Sequence, residues 1–202
     1  MYKRQQKDIV VGTPILGRSK EELMNTIGMF VNTLAIKLEV DSEKIFPKFL
    51  EYVKNMCLDY FNNQEYQFED LVENLNVKRE YGRNPIFDIL FSLNEEVDSQ
   101  HYFNGKEIDI IEIDNNISKF DMSFIVSINR NKTYININYR SDLFKKERME
   151  ELKEYYISIL EQLKANCEIR IEDIVLMSER DKELSEKLSC NEIIDEIDEF
   201  DF

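Results

Sequence analysis

The apolar residues of this chain repeat with two different periods, and the alternation between them decides what kind of fold is open to it. From about Glu43 to Asn62, Phe46, Phe49, Leu50, Val53, Cys57, Tyr60 and Phe61 form one stripe at helical spacing. Lys145 to Lys164 repeats the pattern with Met149, Leu152, Tyr156, Ile159, Leu160 and Leu163. That spacing lines one side of an α-helix with apolar groups. Between the two, Phe87, Ile89, Phe91 and Leu93 alternate with Asp88, Leu90, Ser92 and Asn94, which is the period of a strand with one apolar face. Neither kind of element buries its apolar side alone, so the chain is expected to lay helices on a sheet.

The remaining segments fill in that plan. Asp8-Ile9-Val10-Val11 reads as a strand entering a Gly12 to Gly17 loop, and Ser19 stands where it would cap a short helix from Lys20 to Ile27 with Glu22 at the reciprocal position. A reversal at Gly28 leads to a β-rich run, Phe30 to Val40, and Ser42 precedes the first long helix. Phe68 to Leu75 reads as a shorter helix with Glu69 and Asp70 in its first turn, where the helix dipole favours acids. Glu95 to Lys106 is loop-like. Glu107 to Ile113, Met122 to Ile128 and Thr133 to Tyr139 read as strands favouring antiparallel pairing, the last two joined as a hairpin through Asn129 to Lys132. A last helix is expected over Ser178 to Leu188.

Composition narrows the partners. The net charge is -15, yet residues 1 to 20 hold five Lys/Arg against one Asp, and residues 165 to 202 hold thirteen acids against four bases. No basic stripe is available to displace counterions from a duplex, so nucleic acid is not an expected partner. Cys57, Cys167 and Cys190 are widely spaced without a CxxC pair, which fits a reducing compartment and neither a disulfide framework nor a zinc ribbon. With no apolar run of membrane length and no secretory h-region, a cytoplasmic, non-membrane protein is expected.

Residue chemistry alone announces no enzyme. Gly12-Thr13-Pro14-Ile15-Leu16-Gly17-Arg18-Ser19 superficially fits the phosphate-binding GxxxxGK[ST] pattern. Pro14, however, removes one of the N–H donors such a loop needs, and Arg18 stands in place of its lysine. Cys57 lies on the apolar helical stripe, where a buried thiol is inert. His101 is the only histidine and sits in a polar segment, so no metal cluster and no catalytic residue are assigned.

Read in order, the segments resemble the C-terminal lobe of the condensation domains of nonribosomal peptide synthetases, from about residue 8 to residue 188. Gly12-Thr13-Pro14 through Gly17-Arg18 resembles the family's GxPxxGR turn, and Ile27 to Leu34 closely matches IGxFVNTL. Asn63 to Val72 resembles [HN]QDxPFExLV, and Arg79 to Phe87 resembles RDxSRNPLF. Lys119-Phe120-Asp121-Met122 and Tyr139 to Phe144 are similar to KFDL and Y-x-x-D-L-F. Departures are mild: Gln67 replaces Pro, Glu80 Asp, Gly82 Ser, and Lys37 Arg. The family's active-site motif, HHxxxDG, does not occur in these 202 residues.

The resemblance implies an α+β, chloramphenicol acetyltransferase-like lobe, with a mixed, mainly antiparallel sheet covered by helices, over residues 1–188, followed by an acidic linker or tail over 189–202. It implies a part in amide-bond formation during antibiotic or other secondary-metabolite biosynthesis. Partners would be an N-terminal condensation lobe carrying the histidine motif, carrier proteins whose phosphopantetheine arms bring the thioesters, and an adjacent adenylation domain or synthetase subunit. No cofactor would bind directly. By motif match Asn32, Gly28 and Phe30 would line the substrate tunnel, Asn32 as a neutral hydrogen-bonding group. A strand-edge asparagine is the competing reading. Gly17, Arg18, Phe68, Glu69, Arg83, Asn84 and Pro85 would be structural. Two alternatives stand beside this one: a non-catalytic module that holds a carrier protein or partner lobe, and an acyltransferase of unseen chemistry.

Overall fold

A computed structural model describes residues 7–78, 82–95, 101–103, 106–108, 117–129 and 132–176. The expected helix at Ser178 to Leu188 and the acidic tail lie outside them. The chain divides into two compact units, one of Met1–Val40 with Tyr52–Leu143 and one of Asp41–Glu51 with Phe144–Phe202.

The first unit is built on a five-stranded sheet. Its strands are β1 (Asp8–Ile15), β2 (Asn32–Glu39), β3 (Ile89–Glu95), β6 (Met122–Asn129) and β7 (Lys132–Tyr139), in the order β2-β1-β3-β6-β7. A separate pair joins β4 (His101–Phe103) to β5 (Lys106–Ile108). The two outer junctions are full-length antiparallel ladders, Asp8↔Glu39 to Ile15↔Asn32 and Met122↔Tyr139 to Asn129↔Lys132. The inner junctions, β1–β3 and β3–β6, are parallel. The antiparallel pairing expected from the sequence therefore holds at the edges and gives way to parallel pairing at the centre.

Several expected boundaries move, each for a physical reason. β1 does not end at Val11 but runs on through Gly12 and Pro14. Ladder alternation explains the tolerated proline. Val40 N–H bonds Lys7 C=O, so odd residues of β1 face β2 and Pro14 faces β3, just past Gly12↔Leu90 where that ladder stops. The predicted helix from Lys20 to Ile27 shrinks to a 3₁₀ turn, Glu21–Leu23, with no side-chain cap. Ser19 instead donates to Glu65 Oε1 at 3.1 Å. β3 starts at Ile89, two residues late. The stretch Glu95 to Lys106, expected to be loop-like, contains β4, so His101 opens a strand, and of the strand expected over Glu107 to Ile113, Glu107 and Ile108 lie in β5 while residues 109–113 lie outside the described residues.

Helix α1 spans Phe46–Asn62 and begins three residues later than expected. A turn closed by Lys44 N–H on Asp41 C=O and an isolated bridge Ile45↔Arg170 precede it, where Phe46 N–H bonds Ile169 C=O and Ile171 and Glu172 N–H bond the carbonyls of Lys44 and Ser42. Phe46, Phe49, Val53, Cys57 and Tyr60 are half-buried, whereas Leu50 and Phe61 are exposed. Burial pushes the Cys57 thiol up, as an inert thiol requires. Two tyrosines of α1 close the β2 edge: Tyr60 Oη accepts from Lys37 N–H and Tyr52 Oη from Glu39 N–H, both at 3.1 Å. α2 is Phe68–Asn74 and buries Val72. In the second unit α3 spans Lys146–Ala165, and Gln162 holds Val175 by both its backbone groups at 2.7 and 2.9 Å.

The core of the first unit gathers around Phe87, which is 4% exposed. Its ring stacks on Phe120 at 5.5 Å and meets Phe68 edge-on at 5.6 Å. Gly12 makes room for it, since a Cβ there would lie 2.1 Å from the ring. On β3, by contrast, Ile89, Phe91 and Leu93 remain exposed.

Candidate functional site

The motif-bearing segments condense into two clusters joined by Phe87. The first brings together Gly17, Arg18, Phe30, Asn32 and the chain from Gln64 to Phe68. Gly17 has φ +64°, and a Cβ on it would come within 1.8 Å of Phe30 C=O, so both conformation and space require glycine. The Arg18 guanidinium donates to the carbonyls of Leu23, Thr26 and Gly28 and lies 4.4 Å from the centroid of Phe30. By taking those carbonyls it gathers residues 20–30 into a loop. Gly28 lets the Phe30 ring approach to 3.1 Å of where a Cβ would stand.

Asn32, 5% exposed, is the hub of this cluster. Its Nδ2 donates to Gln64 C=O at 3.0 Å and Tyr66 C=O at 2.8 Å. Its Oδ1 accepts from Thr33 N–H at 2.8 Å and Phe68 N–H at 3.2 Å. An amide side chain has two donors and two lone pairs, so all of its capacity is spent on the backbone. In this structure the side chain ties β2 to the entry of α2. A depression of about 250 Å³ lies beside it, lined by Gly17, Leu23, Phe30, Asn32 and Glu65 among others. Phe68 opens α2 and contributes its ring to the core, and Glu69 is exposed in the first turn of that helix.

The second cluster joins Gly82 to Asp88 with Lys119–Asp121 and Arg140–Asp142. Phe87 N–H bonds Pro85 C=O at 2.9 Å across Ile86, whose φ is +73°. This is a γ-turn of the strained hand, and a β-branched residue at positive φ persists only where its surroundings over-determine it. The ties are present on both flanks. Arg83 makes a two-pronged pair with Asp88 at 2.8 and 2.6 Å, and Asn84 Nδ2 donates to Lys119 C=O at 2.9 Å. Arg140 donates to Gly82 C=O at 2.7 Å and pairs with Asp121 and Asp142. The sequence gives Arg140, Asp88, Phe87 and Gly12 no site role, although all lie in or beside the quoted motifs.

The hydrogen bond from Arg83, more than its charge, holds the Asp88 carboxyl below the usual carboxylate range. A depressed carboxyl contributes stability above the unfolded value of about 3.9 and loses it as pH falls through the folded one. Arg83→Ala should therefore cost at most about 1 kcal/mol at neutral pH, since the pair is partly exposed, and progressively less below about pH 4. Urea midpoints of both proteins at neutral and acid pH check this; an equal gap at both would show that the pair is not the source.

Among the described residues, no buried side-chain nitrogen or oxygen lacks a partner, no acidic, His or Cys cluster fits a metal ion, and no helix is long and apolar enough to cross a membrane. The two clusters meet through the Phe68–Phe87 ring contact. Neither sets a base beside a nucleophile.

Comparison with known proteins gives the two clusters a family context. The family model described as "Condensation domain" matches residues 3–184. Gramicidin S synthase 2 of Brevibacillus brevis is 41% identical over 180 residues, and Bacitracin synthase 3 of Bacillus licheniformis is 37% identical over 177. Each match covers 88% of this chain but only 4% and 3% of the synthase. The crystal structure of a four-domain nonribosomal peptide synthetase bound to AMP and glycine superposes with a TM-score of 0.76 at 19% identity, over 86% of this chain and 14% of that one.

Proposed function

The chain belongs to the condensation domain family, and from that premise we propose that it is the C-terminal lobe of a nonribosomal peptide synthetase condensation domain, contributing to amide-bond formation between carrier-bound thioesters. The observation that carries the reading is the convergence of the ordered motifs. Segments spread from Gly12 to Asp142 meet around Phe87, their polar side chains paired with one another or with backbone, in a chain without HHxxxDG.

In this reading the acceptor amine attacks the donor thioester carbonyl. The C–N bond forms, the C–S bond breaks, the thiolate leaves on the donor arm and is protonated, and the amine gives up its proton. A histidine of the partner lobe orients or deprotonates that amine. This chain's part is positional. Asn32 fixes the start of β2 to the segment before α2, while Arg18, Gly17 and Gly28 fix the loop that presents Phe30. The phosphopantetheine arms of carrier proteins bring both substrates, and an adjacent adenylation domain supplies the activated amino acid. The exposed Ile89, Phe91 and Leu93 on the central strand favour a further protein surface against this unit.

Co-production with a matched N-terminal lobe carrying HHxxxDG tests the proposal. The lone chain should give no product from loaded donor and acceptor carriers, and the two lobes together should give the amide. Complex formation without transfer would favour an interaction module. Turnover by the lone chain would overturn the division of labour.

A further inference from the structure

The two edges of the five-stranded sheet are treated differently. On β2 the outward amides are those of odd-numbered residues, and three are capped by side chains: Thr33 by Asn32 Oδ1, Lys37 by Tyr60 Oη and Glu39 by Tyr52 Oη. On β7 no such capping is present among the described residues. Arg140 N–H bonds Asp121 C=O, which fixes even-numbered residues as the ones facing β6. The backbone groups of Thr133, Ile135, Ile137 and Tyr139 therefore point outward. The strand between Lys132 and Arg140 carries no charge, no proline and no bulge, so it lacks the usual protections of an edge.

We propose that β7 pairs with β7 of a second copy of this chain, antiparallel about a twofold axis at Asn136. This register is self-complementary at every level. Ile135 meets Ile137 of the other copy, Thr133 meets Tyr139, and each pair exchanges two hydrogen bonds, so every outward N–H and C=O of both strands is satisfied. Tyr134 stands beside Asn138 on the opposite face, and the two exposed Asn136 amides meet on the axis, where a primary amide both donates and accepts. The two sheets become one continuous sheet, the symmetric closure a twofold interface requires. A foreign strand satisfies the same backbone groups but has no reason to match the side chains. An edge-to-edge contact buries little surface, so the dimer is weak. Each copy carries -15, so added salt tightens it.

Sedimentation of the full 202-residue chain from about 5 to about 500 μM, at salt from about 0.05 to about 0.5 M, reads the equilibrium directly. We expect a concentration-dependent dimer whose Kd falls severalfold with salt. Asn136→Asp and Asn136→Lys each set like charges opposite one another on the axis and should raise Kd at least about tenfold. Their equimolar mixture should return to within about threefold of the unmodified chain. Asn136 is exposed, so the thermal midpoints of both variants should match the parent and exclude unfolding. A chain that stays monomeric at every concentration and salt, or variants that sediment like the parent, would overturn the proposal. So would an edge occupied only when a matched N-terminal lobe is added, which would assign β7 to that lobe.

Discussion

Gly12→Ala should destabilise the protein by about 3–5 kcal/mol, far more than a glycine-to-alanine change in a strand usually costs. The added Cβ would lie 2.1, 2.2 and 2.7 Å from three ring carbons of Phe87. A flexible side chain on the surface would swing aside. Phe87 cannot, because its ring is held between Phe68 and Phe120 and its backbone is fixed by the strained turn at Ile86 and the ties of Arg83 and Asn84. Either the ring leaves the core, at the cost of a deleted aromatic, or β1 moves away from β3. Phe87→Leu supplies the control. Alone it should cost about 1–2 kcal/mol of packing, and combined with Gly12→Ala it should relieve the clash, giving a favourable coupling of at least about 1 kcal/mol in urea unfolding. Strict additivity of the two changes would mean that Gly12 and Phe87 do not share one space.

That pair also shows what a one-dimensional reading reaches. The long helices were legible because a helical stripe is a local pattern: Lys145 to Lys164 was expected and Lys146–Ala165 is observed. The β6–β7 hairpin was legible for the same reason. Misplaced boundaries came from partners distant in sequence. α1 starts late because the residues ahead of it are held by the chain at 169–172, and the hydroxyl of Ser19 is bound to Glu65 rather than to a helix N-terminus. The site was half legible in a particular sense. Motif matching named Asn32, Arg18, Arg83 and Asn84, but the groups they bind are mostly main-chain carbonyls, of Gln64, Tyr66, Thr26, Gly28 and Lys119. A carbonyl is present at every position and leaves no signature in the sequence. The side chains could be named; their targets, and hence whether they faced substrate or backbone, could not.

For Asn32 that distinction leads to a large effect. Asn32→Asp keeps the volume and keeps the oxygen that accepts from Thr33 and Phe68. It replaces a two-donor NH₂ with a second acceptor aimed at Gln64 C=O and Tyr66 C=O, which now stand 3.0 and 2.8 Å away as repelling oxygens. The site is 5% exposed, so water cannot relieve the repulsion, and an unpaired charge there should cost about 3–5 kcal/mol at neutral pH. Protonation offers partial relief, because a neutral carboxyl regains one donor. The introduced group should therefore have a folded pKa above its unfolded value of about 3.9. The folded variant then binds more protons than the unfolded one, so its stability relative to the parent should fall as pH rises through the folded pKa and recover towards about pH 4. Asn32→Ala, which loses the ties without the charge, should cost about 2–3 kcal/mol with no such pH dependence. Urea unfolding of all three proteins across that range, with the helical signal as readout, separates the two roles. A substrate-facing asparagine would tolerate either change within about 1 kcal/mol at every pH, and that result would return Asn32 to the reading its motif first suggested.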